Sequence, residues 1–134
     1  MFKKISHVGL AVKNLDRAIE FYRDVLHMKI TDRKKIEDQG VEVAFVDIGG
    51  TAQLELLAPL NDHSPIARFL KQRGPGIHHF CVEVDNLEQQ IAYLTDHGVT
   101  MVDTRPRMGA EGDRIAFIHP QSMLGALIEL KEAE

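Results

Sequence analysis

Two apolar stretches of this 134-residue sequence carry histidine where a buried strand would normally hold apolar side chains. SHVGLAV (6–12) has one histidine near its start, and GIHHFCVEV (76–84) has two adjacent ones. QLELL (53–57) and LIELK (127–131) each place a glutamate among leucines. Imidazole nitrogens and carboxylate oxygens bind divalent metals, and two of each would make an N₂O₂ site for one ion. The candidate ligands are His7, Glu55, His79 and Glu129.

These four residues belong to an internal repeat. At an offset of 72 residues, ISHVGLAVKNLDRAIEF (5–21) aligns without gaps with IHHFCVEVDNLEQQIAY (77–93), and six of the seventeen positions are identical. The same offset lays AFV (44–46) on AFI (116–118), and a shift of two residues then lays QLELL on LIELK. The repeat predicts two copies of one supersecondary unit. It matches His7 with His79 and Glu55 with Glu129.

Each copy is predicted to begin with a strand and a helix. The two helices start at Asn14 and Asn86, which are favoured N-cap residues, and Gln89 stands in the capping-box position of the second helix. That helix is expected to end near Gly98. The first helix carries an apolar stripe, which indicates a buried face. Its members are Leu15, Ala18, Ile19, Tyr22 and Leu26.

Short alternating runs bounded by turn residues predict the remaining strands. They lie at 28–36, 41–48, 52–58, 99–103, 113–119 and 125–131. A linker helix with Ser64 as cap, Pro65 at its first position and Gly74 beyond its end joins the two copies. We therefore predict an α+β fold in which two βαβββ modules, related by a pseudo-twofold, form a U-shaped mixed sheet around a metal site. A single domain would span 1–134, with module one at about 1–60, the linker helix at about 64–73 and module two at about 75–134.

The alternation of side chains along a strand separates the candidate ligands from the core. His7 lies opposite Val8 and Leu10, and Glu55 lies opposite Leu54 and Leu56. By the same rule His79 lies on the face away from the helix, whereas His78 lies on the helix-packed face and is interpreted as a structural histidine. Taken singly, each of these residues is more often structural than a ligand, but matched His and Glu pairs on the non-core face favour a metal site.

Composition limits the remaining possibilities. The net charge of −4 is spread over interleaved acidic and basic residues, so we expect no nucleic-acid or membrane partner. The single cysteine, Cys81, cannot form an internal disulfide and is read as a small buried residue, and we expect a reducing, cytoplasmic location. His119 aligns with Asp47 on the site face and is a candidate substrate contact.

Four segments resemble one family in particular. DRAIEFYRDVL, ELLAPLNDHSPIARFL, GIHHFCVEVDN and TRPRMGAEGDRIAFIHPQSMLGALIEL are similar to the methylmalonyl-CoA epimerase family of the vicinal-oxygen-chelate superfamily, and the likeness covers nearly the whole chain. The resemblance implies a homodimeric isomerase acting on an acyl-CoA through a metal-stabilised enolate. The divalent ion would be cobalt first, with zinc, manganese or nickel as alternatives. The family's ligand positions fall on His7, Glu55, His79 and Glu129.

The resemblance also suggests residues for catalysis and for substrate binding. Some epimerases have glutamine at the position of Glu55 and, at the position of Val43, a glutamate that acts as a base. This chain has Val43 and Glu55 instead, so Glu55 and Glu129 are expected to serve as both metal ligands and proton-transfer groups. Basic side chains that would bind the CoA phosphates are expected near the site. The alternative is that these arginines and lysines belong to a solvated, charged loop. The candidates are Arg105, Arg107 and Arg114, with Lys71 and Arg73 further away. The alternatives are a glyoxalase-type lyase or isomerase and a non-catalytic small-ligand-binding protein.

Overall fold

The chain divides into two compact units. This computed structural model describes residues 2–109, 111–123 and 125–133, apart from the side chain of Met123. The first unit comprises His7–His78, and the second comprises Met1–Ser6 together with His79–Glu134. Each unit therefore holds one copy of the sequence repeat, with a few residues exchanged at the ends.

The exchanged residues lie at the starts of two strands, β1 (Phe2–Ala11) and β5 (Gly76–Val84). In the second unit, the ammonium of Lys3 lies 3.2 Å from a carboxylate oxygen of Asp85, just beyond the end of β5. The start of β1 thus belongs with the end of β5. The unit boundaries consequently fall inside the two strands that carry the candidate histidines, rather than at the predicted linker.

Four strands form the sheet of the first unit. After β1 come β2 (Lys29–Ile36), β3 (Val41–Asp47) and β4 (Gln53–Pro59), which confirms the three strands predicted here. Their order is β2, β3, β4, β1. Strands β1 and β4 are parallel, whereas β3 is antiparallel to both β2 and β4. This order places the strand of His7 directly beside the strand of Glu55.

Both faces of this sheet are apolar, and each is covered by a helix. Helix α1 (Leu15–Glu20) packs on one face, and the linker helix α2 (Pro65–Arg73) packs on the other. The face under α1 contains Ala44, Val46, Leu56 and Ala58 with Leu10 and Leu54 at its margin. The face under α2 contains Ala11, Val41, Val43, Phe45 and Leu57. The Ser64 hydroxyl accepts a hydrogen bond of 3.0 Å from the Ala67 amide, confirming the predicted cap of α2.

The first helix departs from its predicted apolar stripe. Asn14 caps it as expected, but after Glu20 the backbone continues as a π-helical turn, Phe21–Val25. The Leu26 amide accordingly donates to the carbonyl of Phe21, five residues earlier, at 3.1 Å. This wider turn rotates later side chains out of phase with a 3.6-residue repeat. Leu26 is 42% exposed, so its prediction as a member of the buried stripe was wrong.

The second unit repeats the strand arrangement of the first. After β5 come helix α3 (Leu87–Asp96) and strands β6 (Arg107–Met108), β7 (Arg114–Ile118) and β8 (Leu127–Glu132). The order is β5, β8, β7, β6, with β5 and β8 parallel and β7 antiparallel to its neighbours. Asn86 caps α3 through a 3.1 Å bond from the Gln89 amide, as predicted. Beneath α3 lie Val82, Val84, Ala116, Ile118, Ile128 and Leu130.

One predicted strand is wrong. Residues 99–103 form no strand; they make one isolated bridge, between Met101 and Ile118. The Thr100 amide donates a hydrogen bond of 2.7 Å to the Ser122 hydroxyl oxygen, so a side chain takes the place of a backbone partner in the sheet. The fourth strand of the second module is instead β6, which has two residues.

The α+β fold with two βαβββ modules is thereby confirmed, each module described within its own unit. Closure of the strands into a U around a metal, and the single-domain organisation, stay predictions. None of the described helices is long and apolar enough to cross a membrane.

Candidate metal centre

In the first unit, a histidine and a glutamate from neighbouring parallel strands are in contact. His7 Nδ1 lies 3.1 Å from Glu55 Oε2, and the two residues are 7% and 5% exposed. The residue of β1 directly opposite Glu55 is Gly9, two positions after His7 on the same face. Gly9 has no side chain, which leaves room above it for the imidazole and the carboxylate to meet. The sequence therefore brings this pair together through register and a small residue.

The second unit contains the same pair in the same register. His79 Nε2 lies 3.2 Å from Glu129 Oε1, and both residues are 7% exposed. The residue of β5 opposite Glu129 is Cys81, again two positions after the histidine. Cys81 is buried, as predicted, and takes the place that Gly9 has in the first unit. Each unit thus brings one candidate histidine into contact with one candidate glutamate.

Each carboxylate also faces a phenylalanine that sequence reasoning had aligned without giving it a role. Phe45 is directly opposite Glu55, and Phe117 is directly opposite Glu129. The ring of Phe117 meets the His79 imidazole edge-to-face, with 5.9 Å between centroids. The match of AFV with AFI was the signal for these two rings. They give the candidate ligands an apolar wall on one side.

The donor set of each unit fits a divalent cation. A carboxylate held away from water costs several kcal/mol unless positive charge or hydrogen bonds compensate it. Each pair offers an imidazole nitrogen and a carboxylate oxygen, donors that suit a metal such as cobalt, zinc, manganese or nickel.

The other histidine of the HH pair is in a different environment. His78 belongs to the first unit, where its ring packs edge-to-face on Phe69 of α2 with 5.0 Å between centroids. The guanidinium of Arg73 lies on the same phenylalanine, 5.8 Å from the ring centroid. This stacked arrangement agrees with the structural role predicted for His78.

Two of the arginines predicted to bind substrate already have carboxylate partners. Arg107 lies 2.9 Å from Asp103, and its guanidinium stands 5.3 Å from the centroid of Phe117. Arg114 pairs with Glu88 and, at 3.0 Å, with Glu132, and the hydrogen bond to Glu88 raises the pKa of Arg114 above its ordinary value. A substrate anion would therefore have to compete with these carboxylates for the two guanidiniums.

The remaining predicted substrate residues are exposed. Arg105 makes no ion pair with the described residues and extends from the segment before β6. His119 follows the end of β7, and its Nδ1 accepts a 3.1 Å hydrogen bond from the Gln121 amide. Nothing in these positions assigns a ligand, so both stay predictions.

A lysine near Glu129 fixes the loop between β6 and β7. Lys131 follows Glu129 on the same face of β8, and its ammonium lies 3.3 Å from Asp113 and 3.8 Å from Glu111. Burial alone lowers the pKa of Lys131, but the hydrogen bond and charge of Asp113 outweigh it, so the pKa is raised above 10.5. Gly109 lets the backbone pass close to the side chain of Ile115, because a Cβ at position 109 would lie 3.0 Å from that side chain.

Comparison with known proteins identifies the superfamily to which this chain belongs. The family model described as Glyoxalase/Bleomycin resistance protein/Dioxygenase superfamily matches residues 6–117, and the chain belongs to that superfamily. Among its relatives, the mitochondrial methylmalonyl-CoA epimerase of Mus musculus is 38% identical over 97% of this chain and 73% of its own length. The ethylmalonyl-CoA/methylmalonyl-CoA epimerase of Cereibacter sphaeroides is 36% identical over 98% of this chain and 99% of its own.

Solved structures show the same similarity. Methylmalonyl-CoA epimerase from Mycobacterium tuberculosis has a TM-score of 0.90 and 42% identity, covering 97% of this chain and 87% of that one. A methylmalonyl-CoA epimerase in complex with methylmalonyl-CoA and NH₄⁺ has a TM-score of 0.92 and 33% identity, covering 99% and 96%. The similarity therefore extends over nearly the whole of this chain.

Proposed function

We infer that this protein is an isomerase that interconverts the (R)- and (S)-epimers of methylmalonyl-CoA. Similarity over nearly the whole of this chain to epimerases of that substrate supports the assignment. The structural observation that carries it is the buried contact between histidine and glutamate, at 3.1 Å in the first unit and 3.2 Å in the second. This duplicated pair provides two carboxylates for a reaction that needs two.

We propose that both pairs bind one divalent metal. The ligands would be His7, Glu55, His79 and Glu129. Their burial and their donor chemistry support this set, and cobalt is the first expectation, ahead of zinc, manganese and nickel. When bound, the cation supplies Lewis-acid stabilisation of negative charge on the thioester oxygen.

The chain's own residues then move the proton. The reacting carbon lies between a thioester and a carboxylate, and its C–H bond breaks as a glutamate carboxylate accepts the proton. The second glutamate, in its acid form, donates a proton to the opposite face of the same carbon. Glu55 and Glu129 take these two roles and exchange them when the reaction runs in reverse. No redox change and no covalent bond to the protein is required.

A buried valine narrows the choice of base in the first unit. Val43 is almost fully buried beneath α2, on the same face as Phe45 and therefore as Glu55. An isopropyl group cannot accept a proton, so the base that some epimerases have at this position is absent here. Glu55 is the carboxylate that contacts His7 on this face, 3.1 Å from its Nδ1.

The substrate would be an acyl-CoA, bound by a homodimer in the cytoplasm. Incubating the protein with methylmalonyl-CoA in deuterated water tests the function, because epimerisation replaces the α-proton with deuterium. We expect incorporation that depends on protein concentration. Turnover of a glutathione hemithioacetal without exchange into methylmalonyl-CoA would instead indicate a glyoxalase-type enzyme. Binding without turnover of either would indicate a non-catalytic binding protein.

A further inference from the structure

The first unit holds a half-buried lysine on the same face as Glu55. Lys34 lies on β2 directly opposite Val43, and its ammonium stands 5.3 Å from the centroid of the Phe45 ring. Phe45 in turn lies directly opposite Glu55. Residues that are directly opposite on antiparallel strands share a face, so Lys34, Phe45 and Glu55 lie on the same side of the sheet.

Lys34 differs from the adjacent Arg33 because no carboxylate of the described residues pairs with its charge. It makes no ion pair within 4.0 Å with any residue of the described part of the chain. The adjacent Arg33 pairs with Asp16 at 2.6 Å and with Glu42 at 3.0 Å. Asp32, which shares the face of Lys34, accepts a 2.8 Å hydrogen bond from the Arg33 amide.

The corresponding position of the second unit shows the contrast. Arg107 stands over Phe117 at the same distance, 5.3 Å, that separates the ammonium of Lys34 from the centroid of Phe45. Arg107 is neutralised by Asp103, however, at 2.9 Å. Each unit thus places a cation over the ring that faces its glutamate, and in the first unit this cation is available for an external anion.

We propose that Lys34 binds an anionic group of the substrate, an inference that rests on the function proposed above. A partly desolvated ammonium held over an aromatic ring attracts a carboxylate or phosphate more strongly than a fully hydrated one does. The strand of Lys34 lies two strand spacings, about 10 Å, from the strand of Glu55. Methylmalonyl-CoA carries both kinds of anion, the malonyl carboxylate and the CoA phosphates.

Replacing Lys34 with methionine tests this role, because methionine keeps a flexible apolar stem against Phe45 and removes the charge. Lys35→Met is the matched control, since Lys35 is the exposed neighbour on the opposite face of β2 and loses the same charge. We expect kcat/KM for methylmalonyl-CoA to fall about tenfold in Lys34→Met, equivalent to about 1.4 kcal/mol, chiefly through KM. Lys35→Met should stay within about twofold, and Lys34→Arg should recover most of the loss.

A truncated substrate identifies the anion. Methylmalonyl-pantetheine keeps the malonyl carboxylate and has no phosphate. If Lys34→Met raises KM for the CoA thioester alone, Lys34 binds a phosphate; if it raises KM for both substrates, Lys34 binds the carboxylate. Equal KM values for Lys34→Met and the wild type, or an equal loss in Lys35→Met, would overturn the proposal. Absence of exchange by the wild-type protein would instead overturn the proposed function, so the two failures are distinguishable.

Discussion

His7 Nδ1 and Glu55 Oε2 are 3.1 Å apart in the interior of the first unit, although they lie on strands separated by a helix and two further strands. The contact depends on parallel pairing of β1 with β4 in one register, with Gly9 opposite Glu55. A slip of β1 by one residue would turn His7 to the face under α1 and leave Glu55 on the opposite face. The second unit repeats the arrangement with His79 and Glu129. A duplicated register, rather than any single residue, therefore defines the candidate centre.

Loss of one histidine should remove the metal. We expect His79→Ala to abolish stoichiometric divalent metal in the purified protein, because a four-ligand set loses one of its two imidazoles. His78→Ala is the matched control, since it removes the adjacent imidazole, which packs on Phe69. Elemental analysis of both variants and the wild type measures the content. Full metal content in His79→Ala would exclude His79 as a ligand.

Replacing either glutamate with glutamine should stop proton exchange. Glutamine keeps the shape and can still donate an oxygen to a metal, but it cannot accept a proton, and loss of such a group lowers rates by about 10²–10⁴-fold. Deuterium incorporation into methylmalonyl-CoA measures the rate for Glu55→Gln and Glu129→Gln. Glu20→Gln, on the exposed side of α1, is the control. Wild-type exchange in either variant would remove that glutamate from the mechanism.

Metal removal should destabilise the fold. A ligand that binds the native state alone stabilises it according to its concentration and affinity, and here it would also neutralise two buried carboxylates. We expect calorimetry to show a lower Tm after treatment with a chelator, and recovery of the original Tm on adding cobalt. Magnesium, which prefers all-oxygen sites, should restore less. An unchanged Tm would mean that the carboxylates are stabilised without a cation.

The raised pKa of Lys131 predicts how its contribution to stability depends on pH. Because the folded pKa exceeds the unfolded value near 10.5, the contribution is complete below that value and is lost as pH rises through the folded pKa. Lys131→Met should therefore unfold at a lower urea concentration than the wild type at pH 8, and the difference should shrink above pH 10.5. A difference that grows with pH would contradict the pairing of Lys131 with Asp113.

The π-helical turn after α1 can be tested by comparing two leucines of the predicted stripe. Leu15 is buried, so Leu15→Ala should lower the free energy of unfolding by about 2–5 kcal/mol. Leu26 is substantially exposed, so Leu26→Ala should lower it by about 1 kcal/mol or less. Urea denaturation measures both. Similar losses would show that Leu26 is packed as the 3.6-residue periodicity predicts.

Much of the fold and of the candidate site could be predicted from the sequence. Repeat alignment matched His7 with His79, and strand alternation put both on the face of a glutamate. Such patterns are local or periodic, and the structure keeps them. The caps at Asn14, Ser64 and Asn86 were predictable for the same reason, because capping depends on a side chain and an amide three residues apart.

Other features could not be read from local patterns. The π-helical turn depends on how the following residues pack. The Met28 amide donates a hydrogen bond of 2.9 Å to the Tyr22 carbonyl within that turn. Strand β6 has two residues, too few for any periodicity, and residues 99–103 alternate without pairing as a strand. The cation over Phe45 comes from the register between β2 and β3, which includes a bulge between Ile30 and Asp32.

Anomalous scattering at the cobalt edge, from crystals grown with cobalt, tests the proposed centre most directly. We expect one peak per chain at about 2.0–2.2 Å from imidazole nitrogens of His7 and His79 and from carboxylate oxygens of Glu55 and Glu129. A peak bound by other residues, or separate ions at the two His–Glu pairs, would contradict the proposal that the duplicated pairs form a single metal site.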